Sequence, residues 1–221
     1  MRLGLLADIH GDGIGFQRAL DWFASQATDH ILCAGDVVDR GPDADAIVQE
    51  LIKRAIPCIK GNHEFTLLRE HSRWSQSSQR ERLASRGRIV TQATLEYVAA
   101  LPTSLRLQFD DQRLVLAHGA PWSDVVDMLP EARSSKWQRL LNEHPHDQII
   151  VLGHTHRPMH VRCGHLRVLN PGSVYGVTIR DSHSCAIYDT ISASLTLYDL
   201  KTQQTRLCPV VEAESRPRDH I

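Results

Sequence analysis

Leu3-Gly4-Leu5-Leu6-Ala7-Asp8-Ile9-His10 opens the chain with an apolar run that ends on a carboxylate and an imidazole two residues apart. The same pattern repeats outward from it. A helical pattern over residues 16–27 leads to a second short run at 30–34, which ends at Gly35-Asp36-Val37-Val38-Asp39-Arg40. A helical pattern over 43–54 then leads to a third run at 56–60, which ends at Gly61-Asn62-His63-Glu64. Short buried runs that alternate with amphipathic helices are the mark of parallel strand-helix-strand units, so residues 1–60 predict a βαβαβ start. In open sheets of this kind ligands gather beyond the carboxyl ends of the strands. Asp8, His10, Asp36 and Asn62 all stand there. Pro42 and Asp43 suit the opening of the second helix, because proline is tolerated in a first turn and Asp favours the positive end of the helix dipole.

Beyond Glu64 the alternation stops. Residues 64–102 are polar and helical in pattern, with a soft break at 72–78 and a second helix at 91–100, and read as a helical cap insertion. Strand patterns return at 104–109 and 113–117, joined by a turn at Asp110-Asp111-Gln112, and the second delivers His118. A helix at 134–143 precedes a run at 148–152 that delivers Gly153-His154-Thr155-His156. Runs at 159–163, 166–169, 184–189 and 194–200 read as short strands of a second sheet. Residues 1–200 are therefore expected to form one domain, and residues 201–221, rich in Arg, Glu and Pro, a poorly ordered tail.

The chain has 221 residues and a formal charge of −1, which supplies no global basic field for nucleic acid or an anionic membrane. Any phosphate attraction must be local. Five cysteines in odd number, without C-x-x-C spacing and mostly inside apolar runs, read as reduced thiols in a cytoplasmic protein. The first apolar run is too short for a signal segment, and no stretch approaches the length of a membrane span.

Each polar block alone has an ordinary reading. Asp8-x-His10 could be a turn or a helix cap, Gly-Asn a tight turn, and His118 a satisfied core histidine. Their joint occurrence, in order and at strand ends, points instead to metal. Carboxylate oxygens, neutral imidazoles and an amide oxygen suit borderline divalent ions such as Mn²⁺, Fe²⁺, Zn²⁺ or Ni²⁺. Two such ions about 3.5–4 Å apart can clamp the oxygens of a phosphate and activate water. Such a site needs about seven ligands, and these blocks supply seven candidates.

These five blocks resemble those of the calcineurin-like metallophosphoesterases, in particular the small bacterial and archaeal phosphodiesterase branch. That branch is itself similar to serine/threonine protein phosphatases and diadenosine tetraphosphatases. The likeness runs from Asp8 to about Val174. It implies an α/β fold, a four-layer αββα sandwich of two mixed sheets flanked by helices, with two divalent ions, Mn²⁺ foremost, at the loop end. It also implies that Asp8, His10, Asp36 and His156 hold one ion and Asp36, Asn62, His118 and His154 the other, with Asp36 bridging. His63 is then the group that protonates the leaving oxygen, Asp39 orients it, and Arg40 meets a phosphate oxygen. The implied reaction is in-line attack on phosphorus by a metal-bridging hydroxide.

The expected enzyme is a phosphodiesterase or phosphatase acting on a small or nucleotide-containing phosphate ester. A protein phosphatase or a diadenosine tetraphosphatase-like hydrolase is the alternative, and a non-catalytic scaffold of the same fold or a DNA nuclease ranks below both. The small branch commonly continues with Gly-Gln-Pro-Arg after the segment matching Asn170-Pro171-Gly172-Ser173-Val174. This chain instead reads Tyr175-Gly176-Val177-Thr178. In the cap, Arg69, Arg73, Arg80, Arg82, Arg86 and Arg88 stand around Trp74, either as a phosphate-attracting lid with a stacking aromatic or as a solvated helix face with Trp74 packed inward. No heptad run or apolar stripe declares an oligomer.

Overall fold

The computed structural model describes residues 1–109 and 111–213. In chain order the elements are β1 (Arg2–Leu6), α1 (Gly13–Ser25), β2 (His30–Cys33), α2 (Ala44–Lys53), α3 (Asn62–Ser75), α4 (Arg80–Ala84), α5 (Gln92–Ala100), β3 (Ser104–Phe109), β4 (Gln112–Ala117) and α6 (Ser134–Glu143). They continue with β5 (Ile149–Val151), β6 (Met159–Cys163), β7 (Leu166–Asn170), β8 (Ser184–Asp189), β9 (Ser194–Asp199), β10 (Thr205–Leu207) and β11 (Val210–Glu212). Two sheets result, ordered β10-β9-β8-β1-β2 and β11-β6-β7-β5-β4-β3. Both are mixed: β1 runs parallel to β2 and antiparallel to β8, while β5 runs parallel to β4 and β7 and β3 antiparallel to β4.

The layering follows from strands that are apolar on both faces. Leu3, Leu5 and Ala7 point with Leu32 into the space between the sheets, where they meet Leu114, Leu116, Ile149, Val151 and Leu169. Leu6 and Cys33 point the other way, onto Phe16, Leu20 and Phe23 of α1 and Ile47 and Leu51 of α2. Across the molecule Val115, Ile150, Leu152 and Val168 pack on Trp137 and Leu140 of α6. Side chains alternate between the two faces of a strand, so a run apolar at every position can only be satisfied by cover on both sides. Three separate cores between four layers are the outcome, and this is the αββα sandwich expected above.

Three expectations need correction. The third apolar run, 56–60, keeps only an isolated bridge between Cys58 and Cys33. Pro57 contributes its carbonyl to Cys33 N–H but has no N–H to continue a ladder, and Lys60 N–H turns away to the Pro102 carbonyl. Helix α1 starts at Gly13, ahead of the apolar pattern, because the Asp12 carboxylate caps it by accepting from Gly15 N–H at 2.8 Å. The segment expected as an ill-ordered tail is built into the fold through residue 213: β10 pairs with β9 and β11 with β6, so each sheet gains an edge strand. Thr205–Leu207 and Val210–Glu212 are exposed throughout, which is why no apolar alternation announced them. Residues 214–221, the rest of that segment, and Asp110 of the β3–β4 turn lie outside the described residues.

The expected cap segment holds α3, α4 and α5, with α3 already beginning at Asn62. Trp74 packs against the core beneath α1 and α2, as the inward reading requires. All five cysteines are buried and unpaired. No helix among the described residues is long and apolar enough to cross a membrane.

Candidate metal centre

Asp8 and His10 follow β1, Asp36 follows β2, His118 follows β4, and His154 and His156 follow β5, while Asn62 and His63 open α3. Every one of these segments ends at the same rim of the two sheets. The loops are tightly bent, and Asp8, His10, Asp36, Asp39, Arg40, His154 and His156 all have positive φ, between 49° and 71°. Each such residue costs about 1–2 kcal/mol unless its surroundings hold it. Backbone bonds from Asp8 N–H to Gly35 O, His10 N–H to Asp36 O and Gly11 N–H to Val37 O tie the first two loops together. Buried Glu64 ties the second loop to α3, accepting from Gly61, Asp36, Val37 and Val38 N–H at 2.7–3.2 Å.

Four imidazoles turn their outer nitrogens toward oxygen atoms, three of them in hydrogen bonds and His154 toward the exposed Asp127 carboxylate. His10 Nδ1 meets Val38 O at 3.3 Å, His118 Nδ1 meets Ala34 O at 2.7 Å, His156 Nδ1 meets an Asp181 oxygen at 2.6 Å, and His154 Nε2 meets an Asp127 oxygen at 3.3 Å. With the proton on the outer nitrogen, each inner nitrogen is left as a lone pair. The lone pairs converge. His10 Nε2 lies 3.2 Å from His156 Nε2. His118 Nε2 lies 3.1 Å from Asn62 Oδ1 and 3.2 Å from Asp36 Oδ2, and His154 Nδ1 lies 3.0 Å from the same Asn62 oxygen. Asp8 adds Oδ1 at 3.5 Å from His156 Nε2, and its buried Oδ2 has no hydrogen-bond partner. Acceptors facing acceptors in a buried place repel unless a cation or protons lie among them. The donor set, oxygen and imidazole nitrogen without thiolate, fits a borderline divalent ion.

The charge balance of the side chains says the same. Burial opposes charge on both Asp36 and His118, but His118 facing Asp36 holds the carboxyl far below its usual range, and Asp36 carries His118 up to about 10. A proton on His118 thus does the work a cation would do. His10 goes the other way: burial outweighs the nearby Asp36 and Asp8 and takes it down to about 4, so it stays a neutral donor at neutral pH. Three groups bring their atoms within 4.8 Å of one another: Asp8, His10 and His156; Asp8, Asp36 and His118; and His10, Asp36 and His63.

His63 sits at the edge of this cluster. Its backbone N–H donates to Asp36 Oδ1 at 2.9 Å, its Nδ1 meets Asp39 Oδ2 at 2.9 Å, and its ring stands edge-on to His10 at 4.5 Å. Burial lowers its basicity, but the Asp39 bond and the Asp36 and Asp39 charges outweigh it, so its pKa is raised. Arg40 lies beside the cluster over the Tyr175 ring, 5.6 Å from its centroid. All ten residues singled out in the sequence are therefore brought to one rim. Four supporting residues were not anticipated in these roles: Asp127 and Asp181 behind the histidines, Glu64 under the loops, and Arg88, whose Nε donates to Asp39 Oδ1 at 2.7 Å.

A cavity opens on each flank. One, of about 460 Å³, is lined by Arg40, His154, His156, Tyr175, Arg180 and Asp181. The other, of about 240 Å³, is lined by Phe65, His118, Trp122 and Asp124 among others.

Comparison with known proteins bears on the family and the fold. The profile of the calcineurin-like phosphoesterase superfamily domain matches residues 1–193. Phosphodiesterase YfcE of Escherichia coli K12 is 27% identical over 177 residues, which cover 79% of this chain and 79% of YfcE. The metallophosphoesterase from Sphaerobacter thermophilus shares the fold with a TM-score of 0.66 at 20% identity, over 89% of this chain and 87% of that one. Vacuolar Protein Sorting 29 from Cryptosporidium parvum shares it with a TM-score of 0.59 at 17% identity, over 94% and 95%.

Proposed function

We propose that this chain, which belongs to the calcineurin-like phosphoesterase superfamily and is a phosphoester hydrolase, is a two-metal phosphodiesterase acting on a small or nucleotide-containing phosphate ester. The observation that carries the reading is the convergence of imidazole nitrogens, the Asn62 oxygen and carboxylate oxygens on one buried place, with Asp8 Oδ2 left there without a hydrogen-bond partner. Asp8, His10, Asp36 and His156 would hold one ion and Asp36, Asn62, His118 and His154 the other, with manganese the first choice for this oxygen and nitrogen set. When bound, the ions supply Lewis acidity and water activation.

The chain's own residues do the rest. Arg40 offers a fork of donors to a phosphate oxygen from the wall of the larger cavity. His63, with Nδ1 engaged by Asp39, presents Nε2 toward the centre and gives a proton to the departing oxygen. The two flanking cavities favour a diester, because a phosphorus atom at the centre could extend one substituent toward Tyr175 and Arg180 and the other toward Phe65 and Trp122. A monoester would fill only one. YfcE, named a phosphodiesterase, supports the same side of the choice.

The test is hydrolysis by metal-stripped protein reloaded with Mn²⁺, comparing bis(4-nitrophenyl) phosphate with 4-nitrophenyl phosphate. The expected result is Mn²⁺-dependent activity with a higher kcat/KM for the diester. Preference for the monoester would overturn the diesterase reading, and activity on neither would favour a scaffold of this fold.

Gly61→Ala is a second check on the ion sites. Its φ of −101° suits any residue, but an added Cβ would lie 2.2 Å from Asp36 Oδ1 and 2.8 Å from the Asp36 backbone nitrogen. Both the carboxylate and the loop that carries it must then shift, with a loss of Mn²⁺ affinity of about 10-fold or more, by analogy with the cost of disturbing ligand orientation, and circular dichroism is the check that the variant is still folded. Titration calorimetry showing wild-type affinity would count against Asp36 as a ligand.

A further inference from the structure

We infer that Arg88, on the stretch between α4 and α5, is a positioning residue that acts on the reaction through Asp39 and His63; the inference rests on His63 being the proton donor proposed above. Arg88 Nε donates to Asp39 Oδ1 at 2.7 Å and its Nη2 reaches Oδ2 at 3.4 Å. The Arg40 backbone N–H donates to the same Oδ1 at 2.7 Å. Two donors on one oxygen fix the carboxylate plane, and the other oxygen is thereby presented to His63 Nδ1 at 2.9 Å. Planar, paired donors of this kind set orientation as well as charge.

The approach of Arg88 is itself built in. Gly87 has φ +62°, and a Cβ there would meet the Gly41 carbonyl oxygen at 2.2 Å, so this turn lies directly on the loop that carries Asp39 and Arg40. Thr91 anchors the other side, giving its N–H and hydroxyl to Asp45 Oδ1 at 3.0 and 2.8 Å. The Arg88 guanidinium stands over the Trp74 ring at 5.2 Å, which supports it from behind. The chain that leaves the centre at His63 thus returns at Arg88 to hold the partner of His63. Arg88 is set apart from Arg69 and Arg73, which pair with Glu70 on the exposed face of α3.

A structural role and a positioning role differ in what they change. If Arg88 acts through His63, its loss matters only where protonation of the leaving oxygen is needed. In Mn²⁺-loaded protein, Arg88→Met should lower kcat by about 10-fold on a diester with a poor alkyl leaving group, with KM held, and by much less on bis(4-nitrophenyl) phosphate. The scale is that of losing the partner that orients an active group. Arg88→Lys should restore part of the loss. The loss should vanish in a His63→Asn background, because two changes acting through one group do not add. Calorimetry should give Mn²⁺ affinity within twofold of wild type for Arg88→Met. Equal losses on both esters, additive losses in the double variant, or weakened Mn²⁺ binding would overturn the inference. If His63→Asn itself shows no dependence on the leaving group, the proton-donor reading fails instead, and the two failures are told apart.

Discussion

Asp36→Asn is expected to lose bound metal and turnover together while the chain remains folded. Asp36 is the residue on which the centre's contacts meet. Its Oδ2 lies 3.2 Å from His118 Nε2 and 3.8 Å from His10 Nε2, and its Oδ1 accepts from the His63 backbone. Asn keeps that shape and tolerates the positive φ of 54° at this position, where Ala would add about 1 kcal/mol of backbone strain. What Asn removes is charge. Two cations held by the ligand sets proposed above would repel strongly, and the Asp36 charge would offset that repulsion. The loss of affinity should exceed the roughly 10–100-fold that follows from losing an outer partner, measured as metal content after gel filtration, with Mn²⁺-dependent hydrolysis falling in step. Two retained ions and near-normal turnover would remove Asp36 from the centre.

The same substitution has a consequence for the metal-free protein. His118 is raised from 6.5 to about 10 chiefly by Asp36, against burial. A raised folded pKa contributes stability that is complete below the unfolded value and is lost as pH rises through the folded one. The metal-free wild type should therefore lose stability between about pH 6.5 and 10, and Asp36→Asn should flatten that dependence.

The sandwich and its centre were legible because they rest on strongly patterned features. Doubly apolar strands such as Leu3–Ala7 and Ile149–Leu152 demand cover on both faces, and polar residues immediately beyond them fall at one rim. What sequence could not show depends on contacts between distant segments. Asp127, Asp181 and Arg88 sit in irregular stretches with no periodicity, and only folding sets Asp181 behind His156 and Arg88 against Asp39. Glu64 was visible in the Gly61-Asn62-His63-Glu64 block, but its four backbone partners were not. Strand β11 escaped for a related reason: it gains its place from the ladder with β6, and its side chains are exposed.

His63→Ala should retain metal and lose turnover, the opposite pattern to Asp36→Asn. The imidazole makes no bond that the ligand set needs: its Nδ1 is engaged by Asp39, and the contact with Asp36 Oδ1 comes from its backbone N–H, which Ala keeps. General acid assistance contributes about 10²–10⁴-fold, so kcat on an alkyl diester should fall within that range, while an ester whose leaving group departs unaided should be far less affected. The pH dependence follows with a definite sign. Burial lowers the basicity of His63, but the Asp39 bond and the Asp36 and Asp39 charges outweigh it and raise its pKa above the ordinary value, so kcat should decline as pH rises through that raised pKa. Asp39→Asn removes one of those charges and the strong acceptor on Nδ1. The alkaline limb should then move to lower pH, with Mn²⁺ content unchanged. A limb that stays in place in Asp39→Asn, or full activity of His63→Ala on the alkyl diester, would assign the proton to another group, and His10, edge-on to His63 at 4.5 Å, would be the next to replace.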